Sequence, residues 1–127
     1  MNISPRVRKA AEAAVDRLMR DLRGIKSVVI ATEDGFEVAG HMEGQAQLAR
    51  MSALASSLSA LGALAGEEGH VGICEALTIE AAHGQLLMVR ARHDEVDLIV
   101  CIVASRDAVI GQVLYTAKQV ARTLRQA

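Results

Sequence analysis

Residues 45–66 read QAQLARMSALASSLSALGALAG, and Arg50 is the only charged residue among them. A surface helix of this length normally carries a whole polar face, so we predict a helix that contacts protein on two sides. At about 100° per residue, the bulky side chains share one face: Leu48, Met51, Leu54, Leu58 and Leu61. Small side chains form the opposite face: Ala49, Ser52, Ala53, Ser56, Ser59, Ala60 and Ala63.

These two faces are predicted to have different partners. The bulky face is expected to cover the chain's own sheet, because each buried Leu or Met stabilises the fold by about 1.5–3 kcal/mol. The small face allows another helix to approach closely, and the same helix of a second copy fits best across a two-fold axis. A solvated Ser/Ala face is the alternative, although soluble surfaces normally carry Lys and Glu.

Strands are predicted on both sides of this helix. Residues 25–32 are rich in β-branched side chains and lead through a Gly-containing turn into a second strand at 36–41, which indicates a hairpin. Further strands are predicted at 71–82, 85–92 and 96–104, joined by polar turns. The last of these lacks apolar–polar alternation, so both of its faces must be covered and it belongs in the middle of the sheet.

The strand predicted at 71–82 is a candidate sheet edge. Alternation places Val71, Ile73, Leu77 and Ile79 on one face. The other face carries small side chains: Gly72, Cys74, Ala76 and Thr78. An edge of this kind can pair with its own copy, so these four small residues join the small face of the helix in the predicted dimer interface. A plain interior strand is the alternative.

The ends of the chain are predicted to be helical. Ser4 and Pro5 start the first helix, which Gly24 stops, and Ser105 is expected to cap the last helix. The order is therefore α-β-β-α-β-β-β-α. Tight connections between strands predict one α+β domain over residues 1–127, with a five-stranded antiparallel sheet and helices on both faces.

Composition argues against several classes of function. The chain has 14 Lys+Arg against 15 Asp+Glu and only 2% aromatic residues, so no basic run interleaved with aromatics is available to bind nucleic acid. The N-terminal residues lack the apolar core of a signal peptide, and no later stretch is expected to be long enough to span a bilayer. We therefore expect a cytoplasmic protein that does not insert into membranes.

Candidate catalytic and metal-binding residues are few. The histidines are expected to be surface turn residues, because they fall at predicted strand ends or turns without metal-ligand spacing: His41, His70, His83 and His93. Cys74 and Cys101 lie in apolar stretches and are expected to be small buried side chains. The acidic pairs, Glu33 with Asp34 and Glu67 with Glu68, lie in Gly-flanked turns. We expect no catalytic residue, no metal, no cofactor and no enzyme activity.

Three segments, KSVVIATEDGFEVAG (26–40), ARMSALASSLSALGALAGEEGHVG (49–72) and VDLIVCIVASRDAVIGQVLYTAKQVARTL (96–124), resemble the Roadblock family of dynein light chains and prokaryotic GTPase regulators. The hairpin turn at Thr32–Gly35, followed by the Ala/Ser/Leu helix, carries most of the likeness, which spans nearly the whole chain. The resemblance implies a profilin-like fold, a homodimer with paired third strands and second helices, and binding to small Ras-like GTPases. It supplies no catalytic residue.

Within the family that the chain resembles, the gliding-motility B-type regulators are dimeric GTPase-activating proteins, and the eukaryotic light chains are dimerising adaptors. Our first hypothesis is therefore a homodimeric regulator or scaffold that docks a small Ras-like GTPase. The alternative is a small-molecule-sensing profilin-like domain with a pocket under its helix, although few aromatic or converging polar groups are present to line one. An enzyme is a formal third hypothesis.

Overall fold

The elements follow one another in the predicted order. A computed structural model describes residues 3–42 and 44–127. Its helices are α1 (Pro5–Asp21), α2 (Gln45–Glu68) and α3 (Ile110–Arg125). Its strands are β1 (Ile25–Thr32), β2 (Glu37–His41), β3 (Ala76–Ala81), β4 (Gly84–Arg92) and β5 (Asp97–Ser105).

The strands form one antiparallel sheet in the order β2-β1-β5-β4-β3. The unbroken apolar strand β5 lies in its centre, as predicted, where Ile102 pairs with Val28 of β1 and Cys101 pairs with Met88 of β4. Among the described residues β3 pairs only with β4, which confirms that it is an edge strand. The α+β fold class is therefore confirmed.

One face of the sheet is covered by α1 and α3. The start of α1 follows the predicted signals, because the Ser4 Oγ accepts the N–H of Val7 at 3.3 Å and Pro5 occupies the first turn. Leu18 of α1 and Leu124 of α3 belong to the largest buried cluster, together with Ile102 of β5. Two amphipathic helices thus seal this face.

Within the described residues, the other face is covered by α2 alone, and the helix is rotated by about a quarter turn from the predicted orientation. The side chains of α2 that contact the sheet are mostly small: Leu48, Ser52, Ala55, Ser59, Gly62 and Gly66. Leu54 and Leu61, which were expected to be buried, are exposed. The large side chains beneath the helix come from the sheet instead: Met88 and Ile99.

Close contact between backbones explains this rotation. A Cβ atom added to Gly62 would lie 2.8 Å from the Sγ of Cys74, and one added to Gly66 would lie 2.2 Å from the carbonyl oxygen of Gly72. Neither position tolerates a side chain unless the neighbouring segment moves. Gly62 and Gly66 therefore serve packing within the monomer.

Two predicted boundaries are wrong. β3 begins at Ala76, not at residue 71, because Val71 is hydrogen-bonded to the end of α2. Val71 donates its N–H to the carbonyl of Gly66 at 3.0 Å. The carbonyls at a helix end need such donors. Ser105 ends β5 and does not cap α3, whose N-cap position is occupied by Val109.

The expectation that no segment is long enough to span a bilayer is also wrong for α2. This helix has the length and apolar composition to cross a membrane, and only 28% of its most apolar window is buried inside the protein. One side of α2 nevertheless packs on the sheet along its whole length. Its opposite side faces away from the sheet.

Gly66→Ala is expected to lower the free energy of unfolding by about 1–3 kcal/mol, since the added methyl group overpacks the contact with Gly72. Gly111→Ala is the matched control, because a Cβ at Gly111 of α3 meets no atom within 4 Å. It should raise the free energy of unfolding by up to about 1 kcal/mol through helix propensity. Urea denaturation at one protein concentration measures both. Equal effects would contradict the close packing of α2.

Candidate interaction surface

The outward side of α2 carries large apolar side chains without a covering layer. Leu54, Leu61 and Leu64 are 45%, 61% and 54% exposed. Ile79 of the edge strand is also exposed and shares the α2 side of the sheet with Leu77. We refer to these four residues, Leu54, Leu61, Leu64 and Ile79, as the α2–β3 surface. Soluble monomers rarely expose apolar patches of this kind unless they bind a partner.

The charged residues on the outward side of α2 lie near its ends. Arg50 is in the second turn, Glu68 is the last helical residue, and winding places both on the same side as Leu61. Within the described residues, neither forms an ion pair. The surface therefore has an apolar centre with one positive and one negative end.

The predicted interface residues are distributed over both sides of α2. Ser52 and Ser59 face the protein's own sheet and are almost fully buried, so neither can meet a partner, and that part of the prediction is wrong. The alanines of the small face remain exposed: Ala49, Ala53, Ala60 and Ala63. Ser56 is half-buried, because its hydroxyl donates to the backbone carbonyl of Glu33.

The small residues predicted around β3 stay near the sheet edge. Gly72 and Thr78 are exposed, whereas Cys74 and Ala76 are half-buried. Their role in an interface stays a prediction. Sequence reasoning missed the exposed leucines of α2, although Gly62 and Gly66, one helical turn apart, mark the side that packs closely.

The turn between β1 and β2 is fixed to its neighbours. Thr32 accepts the N–H of Phe36 on its Oγ at 3.2 Å, and Gly35 donates its N–H to the Thr32 carbonyl at 3.0 Å. The carboxylate of Glu33 forms an ion pair with Arg90 of β4. These contacts tie the turn to both α2 and β4, so Glu33 has a structural role.

Two potentially reactive side chains, Cys101 and His93, are buried. Desolvation raises the pKa of the buried Cys101 thiol to about 12, so the nucleophilic thiolate does not form at neutral pH. His93 is buried, contrary to the expectation of a surface position. Its Nδ1 accepts the N–H of Glu95 at 3.0 Å, which leaves Nε2–H to donate to the carbonyl of Ala127. Among residues 3–42 and 44–127, no group of three His, Cys, Asp or Glu side chains could hold a metal ion.

Solved structures share this architecture. A Roadblock/LC7 domain from Streptomyces avermitilis matches with a TM-score of 0.82 and 22% identity, over 91% of this chain and 94% of that one. The chain has the Roadblock/LC7 fold. Myxococcus xanthus MglB matches with a TM-score of 0.82 and 15% identity, over 99% of this chain and 92% of that one. A structure described as MglB with a tetrameric arrangement gives the same values.

The similarity between this chain and these proteins is a similarity of three-dimensional structure. No protein-family model and no curated protein matches the sequence. The Roadblock resemblance read from the sequence is thus confirmed through the fold.

Cys101 is expected to make the stability of the protein pH-dependent above pH 9. An unfolded thiol has a pKa of 9.0 and the folded one of about 12, so only the unfolded chain loses the proton between these values. The stabilisation is complete below pH 9 and falls by about 1.4 kcal/mol per pH unit above it.

Cys101→Ala removes this titration. Urea denaturation of both proteins between pH 7 and pH 10 should show a constant difference in unfolding free energy up to pH 9, which shrinks at higher pH. A difference that stays constant up to pH 10 would contradict the buried thiol.

Proposed function

We propose that this protein is a non-enzymatic, homodimeric Roadblock-family module that binds a small Ras-like GTPase in the cytoplasm, as a regulator or as a scaffold. The observation that carries the proposal is the exposed α2–β3 surface beside an unpaired sheet edge. Burial of large apolar side chains is the main driving force for stable association. A second copy of the chain presents the same surface.

The sequence of α2 favours an antiparallel, two-fold pairing. If two α2 helices cross near Ser59, Arg50 lies opposite Glu68 of the partner subunit, and Leu54 lies opposite Leu64 of the partner subunit. The charged ends and the apolar centre are then self-complementary, which a two-fold interface requires. The free edge of β3 would pair with its own copy and continue the sheet.

A protein partner suits α2 better than a membrane does. Transfer of this helix into lipid would expose Met88, Ile99 and Cys101, which it now covers. It would also separate Gly62 and Gly66 from residues 72–74, which they contact closely. We therefore propose that α2 stays on the sheet and that a second subunit covers its outward side.

Two likenesses support a GTPase as the further partner. The sequence segments described above resemble a family that includes GTPase regulators, and the fold matches that of MglB from Myxococcus xanthus. In the proposed dimer, α1 and α3 lie on the opposite side of each sheet from α2, so they stay available for such a partner. The module needs no catalytic residue for this role.

Leu61→Glu is expected to convert the dimer into a monomer, because the carboxylate would be desolvated in the centre of the interface without a partner. Light scattering with gel filtration should give a mass near twice 13.5 kDa for the wild type and near 13.5 kDa for the variant. Tyr115→Glu on α3 is the matched control, since Tyr115 is 64% exposed and Leu61 is 61% exposed.

The control variant should remain dimeric. A monomeric wild type, or a Leu61→Glu variant that is still dimeric, would refute the assignment of the interface. Flotation of wild-type protein with anionic lipid vesicles tests the membrane alternative, and co-migration with the vesicles would also contradict it.

Affinity capture from the native cytosol is expected to enrich a Ras-like GTPase. Tagged wild-type protein and the Leu61→Glu variant are compared, with the lysate loaded with either GDP or a non-hydrolysable GTP analogue. Mass spectrometry should find the GTPase with the wild-type dimer and in one nucleotide state above the other. Absence of any such GTPase from all samples would refute this part of the proposal and leave the dimer untouched.

A further inference from the structure

A cleft of about 700 Å³ opens at the sheet edge where β3 begins. The first residue of β3, Ala76, pairs with Val89, so no strand of the described part of the chain lies beside Arg90–Arg92 on this edge. The loop at residues 71–75 forms the opposite wall, and α3 forms the floor. The cleft is therefore a short gap in the sheet, bounded by the chain itself.

Positive charge is concentrated in this cleft. Arg90 and Arg92 of β4 line it together with Lys118, Arg122 and Arg125 of α3. Glu75 is the one carboxylate among the lining residues. The whole chain, in contrast, has a formal net charge of −1.

Four of these five cations are available to a ligand. Arg90 is engaged by Glu33, but within the described residues Arg92, Lys118, Arg122 and Arg125 form no ion pair. Arg92 lies opposite Asp97 in the strand register without an ion pair between them. Each of the four therefore retains charge that a bound carboxylate could neutralise.

We propose that this cleft binds an extended, acidic peptide segment of a partner protein, which adds as a short strand beside Arg90–Arg92 of β4. Strand addition at a free edge provides main-chain hydrogen bonds, and the charged side chains provide selectivity. Lys118, Arg122 and Arg125 follow one side of α3 over residues 118–125. At 1.5 Å per residue, that row is about 10 Å long, the span of roughly three residues of a strand.

An isolated phosphate group fits this arrangement less well. Phosphates are commonly held by backbone N–H groups at a helix N-terminus, where the dipole is favourable. The cations here come from the C-terminal half of α3 and from a strand end. A row of separated positive charges beside an unpaired strand edge matches an extended peptide with carboxylates at intervals along it. Val71 and Ile73 on the opposite wall are highly exposed and offer apolar contacts to alternate side chains.

This proposal is independent of the proposed function. The cations lie on α3 and β4, whereas Leu54, Leu61 and Leu64 lie on α2. Leu61→Glu should therefore leave peptide binding intact even where it dissociates the dimer. Loss of one activity without the other separates the two proposals.

Fluorescence anisotropy with a short, labelled peptide of alternating glutamate and valine tests the cleft. The variant Lys118→Gln/Arg122→Gln/Arg125→Gln should weaken binding by about tenfold or more, because it removes the row of charge. The matched control is Lys9→Gln/Arg23→Gln/Lys26→Gln, which neutralises three exposed cations elsewhere, and it should change affinity by about twofold at most. Circular dichroism checks that both fold, and Arg122→Gln alone replaces the triple variant if it does not.

Measurements with other ligands identify the class of ligand and the mode of binding. Backbone N-methylation of the peptide should abolish binding, because it removes the strand hydrogen bonds, and a lysine–valine peptide should not bind. Equal losses in the two triple variants, or unchanged binding of the N-methylated peptide, would overturn the proposal. The proposal would also be overturned if tripolyphosphate binds through the α3 cations and the acidic peptide does not bind.

Discussion

The close packing of α2 on the sheet determines which surfaces of this protein are exposed. Gly62 and Gly66 bring the helix backbone against residues 72–74, and Ala55 lies over Met88. Because the side that carries Ala55, Gly62 and Gly66 faces inward, three leucines of the same helix face outward: Leu54, Leu61 and Leu64. A single packing contact thus seals the monomer core and leaves an apolar surface for a partner.

The two faces of the sheet differ in how completely they are covered. α1 and α3 together bury one face, whereas a single helix covers the other. Strand β3 lies at one edge of the sheet, and Ile79 extends beyond the cover that α2 provides. An exposed apolar edge strand is a liability in a monomer, and pairing it with a second copy removes that liability. The asymmetry of the fold therefore favours self-association.

Much of this fold is predictable from local patterns. The unbroken run at Leu98–Val103 identifies the central strand, and Ser4 with Pro5 identifies the start of α1. The faces of α2 were assigned wrongly because winding shows only which residues share a side. Hydrophobicity then favours leucine inside, but the volume under α2 is already filled by Met88 and Ile99, which come from distant segments. The early start predicted for β3 has a similar cause, since the carbonyl of Gly66 holds the N–H of Val71.

The basic cleft could not be found in the sequence, because its cations come from β4 and α3 and meet only in the folded chain. Its position has a consequence for the proposed dimer. A two-fold axis through α2 and β3 would duplicate the cleft, so each dimer would present two basic clefts on one continuous sheet. Two acidic segments on one partner would then bind with an effective concentration set by the linker between them. Self-association through the α2–β3 surface would therefore strengthen binding of the acidic partner, although none of the four residues of that surface lines the cleft.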